Sequence, residues 1–155
     1  MTATVSRPTR TTAPRPVPAP VTDPQVGDLL DRCRIGLLAA GNATSAADRF
    51  ATAHLAALRA AAAILAARPL PARRTRLRSV WDIVPLVAPE LAEWCQFFAA
   101  TARRRAAVER GSAQVSAREA DDLVRQVGLF LDDVTARLGL PPVTSTPPLL
   151  RPVVC

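Results

Sequence analysis

The sequence has no lysine and no tyrosine, one histidine and three cysteines, and aromatic residues fill only 4% of its 155 positions. So few rings cannot line a stacking platform for single-stranded nucleic acid. Cys33, Cys95 and Cys155 are an odd number without CxxC spacing, and only His54 could join them. Neither a zinc site nor a disulfide framework is supported, and no metal or other cofactor is expected. Cys33 and Cys95 fall on apolar helical faces, where cysteine acts as a small hydrophobe. Cys155 is the last residue, whereas a prenylation box needs its cysteine fourth from the end, so that motif does not fit, and a reduced, cytoplasmic setting follows as the default. No glycine-rich phosphate loop occurs. The longest apolar stretch, 55–67, is interrupted by Arg59, so no membrane partner is expected. No apolar run follows the first arginines, which excludes a secretory signal.

What is present in excess is arginine. All 20 basic residues are Arg, against 13 acids, for a net charge of +7 and a pI of 11.2. With abundant alanine, this usage suits a high-GC genome. A guanidinium is planar, always charged and able to grip phosphate or carboxylate in two places. The charge is unevenly spread. Residues 1–22 carry Arg7, Arg10 and Arg15, no acid, and alternating prolines at 14, 16, 18 and 20, which favours a disordered, extended tail. Residues 140–155 form a second proline-rich tail. The 117 residues between, 23–139, are enough for one buried core. Within them Arg68, Arg73, Arg74, Arg76 and Arg78 make an acid-free basic link, without which the remainder is slightly acidic. This link and Arg103-Arg104-Arg105 read either as solvated surface or as salt-sensitive phosphate contacts with RNA or DNA.

Helix signals punctuate the middle segment. Asp23-Pro24 opens a first helix that Gly41 is expected to close. Ser45 with Asp48 opens a second, running to about Ala67 before Pro69 and Pro71. Ser79 with Asp82 opens a third, broken at Pro85 and Pro89 and continuing to about Glu109, with Gly111 as its stop. Ser116-Ala-Arg-Glu119 forms a capping box for a fourth, whose apolar stripe runs from Ala120 to Leu138, with Gly139 before Leu140-Pro141 as its stop. No strand-like alternation appears. The fold predicted is all-α, an antiparallel four-helix bundle with a kinked third helix. Ala56, Ala60, Ala63 and Ala67 give the second helix a small-residue face, which reflects either plain helix propensity or a helix–helix dimer contact. Trp81 and Trp94 read as core or interface anchors. Asp121-Asp122 and Asp132-Asp133 read as a solvated face, and Glu90 and Glu93 as dipole-favoured residues of a first turn.

Residues 49–68 (RFATAHLAALRAAAAILAAR), 79–99 (SVWDIVPLVAPELAEWCQFFA) and 115–139 (VSAREADDLVRQVGLFLDDVTARLG) resemble the HEPN superfamily, and within it a small stand-alone actinobacterial branch. LLDRCRIGLLAA at 29–40 fits more loosely. The resemblance implies a helical bundle that often pairs into a homodimer, and in many members a metal-independent ribonuclease. The superfamily signature is Arg, four to six residues, then His. Arg49-Phe-Ala-Thr-Ala-His54 matches that spacing, with Phe50 where a polar residue is common.

Such chemistry needs a group of near-neutral pKa to move the ribose 2′-OH proton, which His54 would supply. It also needs fixed positive charge on the phosphate, which Arg49 would supply. Five residues along a helix place the two roughly 140° apart around the axis, so a shared site calls for a loosened first turn or a second subunit. His54 also lies in line with Phe50, Ala57, Ala61 and Leu65, as a core histidine would. Two functions therefore stand at this point. One is an RNA-binding or RNA-cleaving dimer, and the other a catalytically inactive scaffold or regulatory module that binds protein.

Overall fold

The computed structural model describes residues 23–68, 70 and 79–142. Both expected tails, apart from residues 140–142, lie outside the described residues, as do Arg73, Arg74, Arg76 and Arg78. The described residues form five α-helices: α1 (Pro24–Asn42), α2 (Ala46–Ala67), α3 (Val80–Val87), α4 (Ala92–Glu109) and α5 (Ala117–Arg137), with a 3-10 turn at Pro89–Leu91. The described residues contain no strand. The expected third helix is thus two, α3 and α4. Pro89 has no N–H to continue α3, whose last carbonyls are closed by Ala88 N–H donating to Val84 O.

Most ends are set by the residues that announced them. Asp23 accepts from Gln25 N–H, Ser45 from Asp48 N–H, and Ser116 from Glu119 N–H. At Ser79 the capping box is complete in both directions. Gly111 and Gly139 adopt φ of 72° and 69°, the left-handed conformation that ends α4 and α5. Gly41 does not end α1. The helix runs past it to Asn42, and Ala43 closes it in an extended conformation with its N–H on Ala40 O.

The interior is built around α2. Phe50, Ala53, Ala57, Ala60, Ala61 and Ile64 are all buried, and α1, α3, α4 and α5 each pack against this helix. By length and composition α2 is apolar enough to cross a membrane; half of that stretch is buried inside the bundle. Its alanine face is taken by α1 of the same chain. A Cβ added at Gly36 would stand 3.1 Å from Ala56 Cβ and 3.0 Å from Arg59 Nη1. Ala56, Ala60 and Ala63 are wholly buried there, so this face serves the fold rather than a dimer contact.

Five of the six Phe and Trp rings, all but Phe50, are gathered in one nucleus. Phe98 of α4 lies 5.0 Å from Trp81 of α3, 4.9 Å from Phe130 of α5 and 5.9 Å from Trp94, between ring centroids. Such pairs favour offset and edge contacts and add about 0.5–1.5 kcal/mol each beyond area burial. Cys33 and Cys95 are buried as small apolar groups.

Filling the α1–α2 seam tests this packing. Ala56→Leu should lower stability by about 1–3 kcal/mol in urea unfolding, because overpacking a tight helix contact forces the backbones apart. An unchanged midpoint would contradict the close approach at Gly36.

Candidate functional site

His54 projects from α2 into the aromatic nucleus. Its ring centroid is 5.8 Å from that of Trp81 and 6.5 Å from that of Phe98, both edge-on, and the residue is 2% exposed. Nδ1 is buried without a hydrogen-bond partner. Burial disfavours the charged imidazolium and, with the nearby Arg105 guanidinium, pulls the pKa down to about 4, against a small opposing pull from Glu109. At neutral pH the ring is therefore uncharged. In this arrangement it offers no imidazolium to donate a proton and only a weak base to accept one. A ribose hydroxyl would have no path to it.

Arg49 looks elsewhere. It begins the second turn of α2, where Nη1 donates to Asp121 Oδ1 of α5 at 2.6 Å and Nη2 to Ala43 O at 3.0 Å. Its Nε is buried and unpartnered. The guanidinium thereby ties the N-terminal part of α5 and the α1–α2 connection to α2. Arg49 and His54 are not brought together in one open site: the first closes an interhelical seam, and the second fills the core behind it.

Of the other singled-out arginines that fall within the described residues, Arg68, Arg104 and Arg105 are engaged as well. Arg68 Nη1 donates to Glu90 Oε1 at 2.5 Å and to Val87 O at 3.3 Å. Burial alone would raise the Glu90 carboxyl. The Arg68 hydrogen bond and charge outweigh it and hold the group below its ordinary range. Arg104 grips both oxygens of Glu119, at 2.9 and 3.3 Å, and reaches Gln114 O at 2.7 Å. This hydrogen bonding holds Glu119 low, with the Arg104 charge and the Ser116 backbone N–H adding to it against the effect of burial. Arg105 pairs with Glu109 one turn on, at 2.7 Å. Arg103 is exposed.

Sequence reasoning missed the acids that receive these arginines. Asp121 and Asp133 are more than a solvated face: Asp121 holds Arg49, and Asp133 accepts from Trp94 Nε1 at 3.1 Å and from Arg137 Nε at 2.8 Å. Spacing along one helix cannot say which side chain lies opposite on another. The only local signal was Asp133–Arg137, a helical i,i+4 pair.

Residues 40–135 match the family model of SAV_6107-like HEPN domains. That span covers more than half the chain and runs from the end of α1 into the last turns of α5. No curated protein and no solved structure matches the chain.

The buried imidazole has a pH consequence. The unfolded chain binds a proton at His54 near pH 6.5 and the folded chain only near 4. Stability from this group is complete above 6.5, falls as pH drops between 6.5 and 4, and levels off below. The loss amounts to about 3 kcal/mol. His54→Phe should flatten that part of the stability–pH curve relative to wild type in urea titrations. Parallel curves for the two proteins would refute the assignment.

Proposed function

The chain belongs to the SAV_6107-like HEPN family, and from that premise we propose that it is a catalytically silent HEPN module that works by binding a protein partner. The observation that carries this reading is the setting of its one histidine. A metal-independent ribonuclease needs a solvent-reachable imidazole that titrates near neutrality, and His54 is enclosed by Trp81 and Phe98 with its pKa lowered to about 4. Arg49, the other half of the signature, is occupied with Asp121 and Ala43. The surface supports binding of protein more than of polyanion. Arg49, Arg68, Arg104 and Arg105 are neutralised by acids, while Ile35, Leu38, Leu55, Leu86, Phe97 and Leu129 stand exposed. Ile35 and Leu38, one turn apart on α1, share a face, and exposed apolar groups that lie side by side mark interaction surfaces.

The competing reading is an RNA-cleaving homodimer with Arg49 and His54 as site residues. The match of Arg49-Phe-Ala-Thr-Ala-His54 to the superfamily spacing favours it, and it requires His54 to leave the core when RNA binds. Binding of RNA without cleavage would rest on Arg73, Arg74, Arg76 and Arg78, with Arg103 the exposed arginine of the α4 run.

Purified protein incubated with mixed single-stranded RNAs should leave them intact, and His54→Gln should give the same background. Cleavage by wild type that disappears in a folded His54→Gln variant would overturn the silent-module reading. Arg73→Ala, Arg74→Ala and Arg76→Ala combined should leave the affinity for a protein partner unchanged, whereas an RNA-binding role would lose its low-salt binding.

A further inference from the structure

Between α1 and α5 runs an open, mainly apolar groove of about 810 Å³. Leu37 and Leu38 form one wall and Leu131 and Ala136 the other. Leu38 is 70% exposed and Ile35, one turn before it, 64%. These are large apolar groups that nothing among the described residues covers. Two charged groups sit in the groove. Arg34 is already paired with Asp31 at 2.6 Å. Asp132 has no ion-pair partner among the described residues.

At its lower end the groove is lined by Leu140 and Pro142, the last residues described. The chain thus leaves the bundle from inside the groove. The next thirteen residues, 143–155, read VTSTPPLLRPVVC. Five of them, Val143, Leu149, Leu150, Val153 and Val154, are large and aliphatic, and the one charged side chain is Arg151. We propose that this segment is the groove's own occupant, with Leu149 and Leu150 laid over Leu38 and Leu131 and Arg151 set against Asp132.

Length and stiffness agree with this. From Gly128 to Leu140 the groove spans roughly 18 Å at the helical rise. Seven residues from Pro142 to Leu149 reach about 22 Å in the extended form that Pro147 and Pro148 favour. That covers the groove and leaves some slack for the reversal at Pro141-Pro142. The single unpartnered carboxylate of the groove then meets the single cation of the segment. The paired prolines also lower the entropy lost on docking, because few conformations are given up. This inference does not depend on whether the module is silent or catalytic.

The cysteines allow a direct test on the full chain. Cys33 and Cys95 are buried, with thiols pushed up to about 12 and about 11 by desolvation, so a thiol-reactive nitroxide goes to Cys155. In the labelled protein the amide NMR signals of Leu38, Gly128 and Leu131 should lose more than half their intensity, while those of α3 keep theirs. Leu149→Ser with Leu150→Ser, outside the bundle, should restore the signals. Asp132→Arg should restore them too, and adding Arg151→Asp should bring the broadening back. Weak broadening spread evenly over the bundle would overturn the proposal. So would broadening that occurs only between molecules, seen by mixing labelled unenriched protein with unlabelled enriched protein, since a second copy would then be the occupant.

Discussion

The burial of one neutral imidazole among aromatic rings is the constraint on which the rest of this structure turns. His54 comes from α2, Trp81 from α3, Phe98 from α4 and Phe130 from α5, so four helices meet at a single nucleus. A chain with only six Phe and Trp residues has little else of that size with which to fill a core. Placing His54 there costs a desolvated Nδ1, an expense of about 1–3 kcal/mol for an unpaired buried polar atom. The edge-on contacts with Trp81 and Phe98 offset part of that cost. The same placement removes the imidazolium from neutral solution, which is why packing and function cannot be discussed separately at this residue.

Around the nucleus, arginine works chiefly as an interhelical clasp. Arg49 to Asp121 joins α2 to α5, Arg104 to Glu119 joins α4 to α5, and Arg68 to Glu90 joins the end of α2 to the break before α4. Each pair is partly exposed, so each contributes only a modest amount, of the order of 1 kcal/mol or less. Their larger effect is to fix which helix faces which. They also alter the meaning of a pI of 11.2. Much of the positive charge of the bundle is spent on internal carboxylates. Eight of the 20 arginines stand in the link and the tails, outside the described residues.

The sequence told much of the fold and less of the site, for a physical reason. Caps and stops are local: Asp23, Ser45, Ser79, Ser116, Gly111 and Gly139 act within a few residues of where they stand, and the structure uses each. Gly41 failed as a stop because glycine ends a helix only where φ turns positive, and nothing there demands it. The alanine face of α2 was correctly seen as a place of close approach, but its partner could not be read, since α1 and a second subunit would leave the same pattern. For His54 the periodicity admitted both a core and a surface reading. Only the positions of Trp81 and Phe98, far along the chain, decide between them. The acidic partners of Arg49 and Arg104 were hidden in the same way.

The single histidine makes the central claim directly measurable. In a pH series of NMR spectra the one imidazole Cε1–H resonance reports the protonation of His54 alone. The account predicts a midpoint near pH 4 in the folded protein. A midpoint near 6.5, the value of a free histidine, would contradict it and return His54 to solvent.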